Sequence, residues 1–470
     1  MDIRVGGYAP SGRLPGITVV VIEFGADESN GADAAEPQAT AASKVVAVGS
    51  FALVFLVSSN MAIAFDFGIG NPVYKLSALL VLMVIYQQVR ELGWASFAHS
   101  FSTRVLIAVA LFAAFGVVRT ASRLWGGAFT ISWLKDILVV VAVVVSARSL
   151  REVGRLSWAV VLAIAVLGGP ALIQHLTGTY GSDWLGLAQT DVGFIDGERR
   201  FQIGGTLGGP NPLVQWLVTA IPLAAYHARW SKSGRYRALA ATLLAVAIAA
   251  TVASQSRQGL LLLVVVGVVL LVDRRPSRSM VIKAVALVGV LAAIVFVSNP
   301  TRWTRQGERI GEVSVLFGGD VGSDSSAAGY AGTFRAGLDM FVDNPLLGIG
   351  HKQFVEEYLS YAETRGIDTS GRARSAHNTG VHVLAETGLV GALAFLAMVA
   401  ALFSVNRRSV GYLRSRDCEE YAQLGTALRS ALFIWLVSSL FQGLFHPEQV
   451  MVVAALVIAL GVATDNVGLK

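Results

Sequence analysis

The sequence predicts an all-α polytopic membrane protein of about a dozen transmembrane helices, with one large extracytoplasmic loop containing short amphipathic helices. Three observations predict it. Apolar residues make up 54% of the chain and charged residues only 14%, with a mean hydropathy of +0.61; a soluble chain of this size needs a more charged surface. The apolar residues fall in long runs without amphipathic stripes, as lipid requires of helices that satisfy their own backbone. The basic residues sit in short clusters between those runs.

Taken in order, residues 1–43 are expected to form a disordered cytoplasmic tail. They end in the Gly-, Ala- and acid-rich stretch GADESNGADAAEPQATAAS, and the apolar piece Ile17–Ile22 is too short to span. No cleavable signal peptide is expected, because the first long apolar run begins only at Val45. Runs that can cross a bilayer lie near 45–65, 73–89, 103–119, 130–147, 156–176, 211–229, 236–254, 258–273, 280–298, 384–405, 428–445 and 449–464. Several fall short of the ~20 residues of an untilted span and rely on snorkelling ends or local thinning. Spans one to nine therefore fill 44–298, the large loop 299–383, and spans ten to twelve 384–470.

Basic clusters give the orientation. Arg148, Arg151 and Arg155 follow the fourth run; Arg229, Lys232, Arg235 and Arg237 the sixth; Arg274, Arg275, Arg278 and Lys283 the eighth; Arg407, Arg408, Arg414 and Arg416 the tenth. Each follows an even-numbered span, which places both termini in the cytoplasm. Arg119 and Arg123, after the third run, run against the pattern. The net charge of +6 is thus spread over loops, and no basic patch suits nucleic acid. The single cysteine, Cys418, excludes an intrachain disulfide framework.

Within the large loop, Gly318–Gly332 is Gly/Ser-rich. Phe334, Leu338, Phe341 and Val342 then recur at the spacing of one helix face, and Asn344-Pro345 stops that helix. Gly348-Ile349-Gly350 makes a turn, and Lys352–Glu363 resumes with Phe354, Tyr358 and Tyr361 on one side. Both stretches are expected to lie at the outer membrane surface.

Three arginines on the outer side stand out: Arg200, Arg257 and Arg335. Arg257 sits in Ser254-Gln-Ser-Arg-Gln-Gly259, squeezed between two apolar runs, where a planar always-charged fork suits phosphate or pyrophosphate. The plainer reading is a snorkelling side chain that anchors a helix end. His377, in Ser375-Ala-His-Asn-Thr-Gly380, stands just above the membrane plane and can take a proton near neutral pH. Asn378 can orient it, bind a sugar hydroxyl, or simply cap the following helix. Glu386 lies eight residues beyond Asn378, about two helical turns, so both can share one face. Upstream, Gly204-Gly-Thr-Leu-Gly-Gly-Pro-Asn211 lets backbone approach an anion at a helix start, or is a plain loop-to-helix turn.

No Cys/His cluster has zinc spacing, and no HExxH, GxSxG or Walker pattern occurs, so no metal or cofactor is expected. Asp66 has no second carboxylate near it in sequence. Lys135 and Asp136 are read as a structural pair.

These pieces together resemble the superfamily of O-antigen ligases and O-antigen polymerases, bacterial envelope glycan transferases. The residues carrying the resemblance are Phe334-Arg-Ala-Gly-Leu-Asp-Met-Phe-Val-Asp-Asn-Pro-Leu-Leu-Gly-Ile-Gly350, Ala376-His-Asn378 and Leu384-Ala-Glu-Thr-Gly-Leu-Val-Gly391, with Gly-Pro-Asn211 and Ser-Arg257 upstream. It covers about residues 200–400. The resemblance implies a fold of the membrane glycosyltransferase type in the bacterial plasma (inner) membrane. It implies transfer of a glycan from an undecaprenyl-pyrophosphate carrier to a glycan or glycolipid acceptor, without an obligatory metal. Arg257 and Arg335 would hold the pyrophosphate, with Arg200 or the equally placed Arg199 assisting. His377 would act as base on the acceptor hydroxyl or position it, Asn211 and Asn378 would bind substrate, and Glu386 would brace the histidine or the loop. A repeat-unit polymerase of the same superfamily is the near alternative, and a lipid-linked glycan flippase the alternative from another class.

Overall fold

A computed structural model describes residues 41–61, 132–195, 198–274, 325–364, 374, 376–443 and 447–468, together with scattered helical positions between 79 and 118. The tail through residue 40, Asp66, most of the spans expected at 73–89 and 103–119, the span at 280–298 and the loop up to residue 324 lie outside the described residues. So do the side chains of Lys135, Asp136, Arg199 and Arg200.

The described chain is mostly helical: α1 Ala41–Ser58, α2 Ser132–Ser146, α3 Leu150–Thr177, α4 Pro210–Trp230, α5 Gly234–Ala253, α6 Arg257–Arg274, α7 Ser325–Asp343, α8 Gln353–Thr364, α9 Thr379–Ser415, α10 Glu419–Ser438 and α11 Pro447–Gly468. Among the described residues, α3, α5, α9 and residues 450–467 of α11 are long and apolar enough to cross a membrane by themselves, and Val45–Ser58, Ile137–Ser146 and Arg257–Leu271 are shorter apolar helices. The chain is a membrane protein. The centre of α11 is buried on all sides, from Val452 to Ala463, and forms the middle of the bundle. A helix apolar all round has no polar face to turn to solvent.

Local chemistry sets the helix ends. A capping box opens α3: the Ser149 hydroxyl accepts from the Glu152 amide while the Glu152 carboxylate accepts from the Ser149 amide. Gly178 closes α3 in left-handed backbone. Pro210 stands at the first turn of α4, where a missing N–H costs nothing.

Polar contacts between helix ends sort the bundle into two ends. At one end the Asn60 amide donates to Thr206 O (2.8 Å), and the Thr206 hydroxyl donates to Ser59 O (2.9 Å). This ties the exit of α1 to the loop before α4. The exit of α3, the α5–α6 turn, the start of α9 and the exit of α10 meet at the same end. At the opposite end the Asn466 amide near the finish of α11 donates to Arg148 O at 3.1 Å, just before α3. The described arginine clusters, at 148–155, 229–237 and 407–416, occupy that second end. Three of the four clusters read from the sequence thus share one end of the described helices.

The fold departs from the all-α expectation in one place. Strands β1 (Gln189–Ile195) and β2 (Glu198–Gly205) form an antiparallel hairpin, with Gly193 opposite Arg200 and Phe194 opposite Arg199. It docks on the exit of α3: the Gln174 amide donates to Ala188 O (2.6 Å) and Ser182 O (2.9 Å), and Tyr180 stacks on Phe201 with ring centroids 5.4 Å apart. Asp196-Gly197 between the two strands is a two-residue hairpin signal in the sequence that a hydropathy reading passes over.

The large loop holds two further differences. Helix α7 begins at Ser325, so the second half of the Gly/Ser-rich stretch is helical. Its buried face is Thr333, Ala336 and Met340, whereas Leu338 and Val342 of the expected apolar stripe are exposed. The reason is Gly337: a side chain there would meet Val381 and Phe354, so α7 packs through its small residues. Helix α8 turns Phe354 and Tyr358 inward as its pattern predicts.

Candidate functional site

The site is organised by a break in α9. Gly388 has φ 62° and ψ −162°, and the helix kinks there. A kink strips the local backbone of its i→i−4 partners, and those groups need partners elsewhere. The turn at 345–350 takes up four of them. Leu389 N–H donates to Pro345 O (2.8 Å) and Val390 N–H to Leu346 O (3.2 Å), while Ala385 O accepts from Ile349 N–H (2.9 Å) and Glu386 O from Gly350 N–H (3.0 Å). The Pro-Leu-x-Gly-x-Gly turn and the Glu-x-Gly entry are thus two halves of one hydrogen-bonded joint.

Glu386 lies in this joint, only 2% exposed. Its Oε2 faces His351 Nδ1 at 3.1 Å, and its Oε1 faces His382 Nε2 at 3.0 Å. The Phe354 amide reaches Oε1 at 3.5 Å, and the Phe354 ring meets His382 edge-on. Both histidines are buried. Glu386 therefore stands between the turn that carries His351 and the first segment of α9. His351 and His382 escaped the sequence reading. The signal for His382 was its place four residues before Glu386 on a helix; for His351 there was none beyond its following the glycine turn.

The first segment of α9 is pinned at its other end. Asn378 is its N-cap: Oδ1 accepts from the Val381 amide (3.1 Å), and Nδ2 donates to Leu440 O (3.0 Å). The Thr379 amide donates to Ser439 O (2.8 Å), and its hydroxyl to Gln442 O (2.7 Å). Of the roles open to Asn378 in the sequence, the capping one is present in the structure.

A second set of contacts joins the same α10 exit to the turn that carries Arg257. Gln258 Nε2 donates to Ser438 O (3.3 Å), and Gln215 Nε2 to the Ser438 hydroxyl (3.0 Å). The Ser256 hydroxyl donates to Asn211 Oδ1 at 2.7 Å and accepts from the Gly259 amide. Arg257 opens α6 with its side chain exposed. A polar belt thus runs from Asn211 through Ser256 and Ser438 to Asn378, and it brings the Arg257 turn and the His377 loop to one end of the bundle. Arg335 is exposed on α7, two residues before the Gly337 contact with α9. The hairpin bearing Arg200 packs on α3 and α4.

His377 is half-buried. Burial, and then the charge of Arg374, holds its pKa below the ordinary histidine value of 6.5. Its imidazole is therefore neutral at neutral pH, as a proton acceptor must be. Arg374 also bears on Tyr358, whose phenol burial pushes up while the arginine opposes the shift. Helix α8, Arg374 and His377 thus share one electrostatic neighbourhood.

Residues 216–396 match the family described as O-Antigen ligase. This segment of the chain thus carries an O-antigen ligase family domain. The matched segment runs from the first turns of α4 past the kink in α9, and it contains Arg257, Arg335, His351, His377, Asn378, His382 and Glu386. Asn211 and the hairpin precede it. No curated protein matches the chain. That family comprises glycosyltransferase-like ligases and polymerases that work in a membrane on lipid-linked glycan and an acceptor.

Proposed function

We propose that this O-antigen ligase superfamily member moves a glycan from an undecaprenyl-pyrophosphate carrier to an acceptor hydroxyl at the extracytoplasmic face of the bacterial plasma membrane. The arginine-rich end of the bundle faces the cytoplasm in this reading, and the polar belt faces outward. His377 takes the proton of the acceptor hydroxyl as its oxygen attacks the anomeric carbon. The bond from that carbon to the pyrophosphate breaks, and the pyrophosphate leaves with the electron pair. Arg257 and Arg335 stabilise the charge that develops on it. Arg200 and Asn211 assist in binding the substrate, and Asn378 holds the histidine loop in place.

The observation that carries the reading is the belt from Asn211 to Asn378. It joins a cation-bearing turn and a histidine loop far apart in sequence at one helix end, away from the arginine clusters. The test is surface glycan profiling of a deletion strain complemented with His377→Ala or Arg257→Ala. Both variants reach the membrane and fail to restore long surface polysaccharide. Full restoration by both overturns the mechanism.

A further inference from the structure

The His351–Glu386–His382 cluster has no part in the proposed proton transfer, yet among the described residues it is the most buried ionisable group of side chains at this end of the molecule. A carboxylate removed from water must be strongly compensated. Here each oxygen is met by a separate imidazole, and the two imidazoles come from different elements: His351 from the turn before α8, and His382 from the first segment of α9. The two use different ring atoms. His351 approaches through Nδ1 and His382 through Nε2.

We infer that this cluster is a positioning device for the transfer site, in which each histidine acts through the ring nitrogen that faces Glu386. The inference rests on the proposed function. Glu386 sets the height at which the turn enters the kink, and His382 sets the rotation of the segment whose N-cap adjoins His377. Through Phe354 and Gly337 the same cluster sets how closely α7, with Arg335, lies on α9. The base and one of the two pyrophosphate arginines are thus placed by a single buried carboxylate.

The different ring atoms make the idea testable by reciprocal exchange. An asparagine amide nitrogen falls near the place of imidazole Nδ1, and a glutamine amide nitrogen near that of Nε2; both are N–H donors. Transfer is measured with purified full-length protein, a lipid-linked glycan donor and an acceptor glycolipid, alongside the melting temperature of each variant. His351→Asn and His382→Gln retain most of kcat. His351→Gln and His382→Asn lose about 100-fold in kcat with little change in KM, the scale on which displacement by about an ångström slows a positioned reaction. Melting temperatures agree within each pair.

A size effect ranks Asn and Gln the same way at both positions, so the same order at 351 and 382 overturns the inference. Activity falling only in step with melting temperature overturns it too, in favour of a purely structural role. His377→Ala and Arg257→Ala serve as references. If they keep full activity, the proposed function fails and the positioning role with it. If they are inactive and the reciprocal order is absent, only the positioning role fails.

Discussion

Gly348 and Gly388 face each other across the joint between the large loop and α9, and neither position has room for a side chain. A Cβ on Gly348 would run into the Glu386 carbonyl carbon and the Thr387 amide, and one on Gly388 into the Leu346 carbonyl. Both also sit in left-handed backbone, with φ 70° and 62°. Two requirements, space and conformation, fall on the same two residues.

Alanine at either glycine is therefore expected to be severely destabilising. Left-handed backbone alone costs about 1–3 kcal/mol for a residue with a side chain, and the obstructing atoms are backbone, which cannot swing away. Thermal unfolding in detergent checks this. The double variant Gly348→Ala/Gly388→Ala loses less than the sum of the singles, because the first substitution already opens the joint.

Replacing Glu386 with alanine withdraws an acceptor from two buried imidazoles and from the Phe354 amide. Removing one member of a buried charged cluster costs about 3–5 kcal/mol. The expected result is a lowered melting temperature, with proteolysis increased first in the loop residues 345–364. An unchanged melting temperature contradicts the bracing role.

In the proposed mechanism the pH dependence of transfer follows from His377. Its folded pKa lies below 6.5 through burial and Arg374, so the neutral base persists as pH falls past the ordinary histidine range. Activity is then lost only as pH drops through the lowered value. Arg374→Gln removes the second cause and moves the acid limb of kcat/KM upward, short of the ordinary value because burial remains. A downward move contradicts the assignment.

The Ser256–Asn211 contact positions the turn that carries Arg257. Asn211→Ala deletes the acceptor of the Ser256 hydroxyl and is expected to cost about 1 kcal/mol of stability. A larger effect is expected on donor use, with KM for lipid-linked glycan raised about 10-fold as the arginine loses its fixed place. Kinetics at varied donor concentration separate the two.

Much of the fold was legible in the residues because its causes are local. Lipid demands long apolar runs wherever backbone must satisfy itself, so the spans from Leu150 to Thr177 and within Thr379–Ser415 show in composition alone. The arginine clusters at 148–155, 229–237 and 407–416 mark one end of the bundle for an equally local reason. The HN pair and the glycine turns were visible as a pattern, and they suffice to mark the family. What no stretch of sequence displays is which residue meets which across a distance. His351 and Glu386 stand 35 positions apart, and nothing in either neighbourhood announces the partner. The hairpin was concealed because hydropathy weighs each residue singly, whereas strand pairing depends on alternation across a turn. Leu338 and Val342 of the expected apolar stripe of α7 face outward because close approach at Gly337 outweighs the larger side chains. Tertiary structure alone decided that a break in one helix would be repaired by a turn from the loop, since only that contact satisfies the four backbone groups the break exposes.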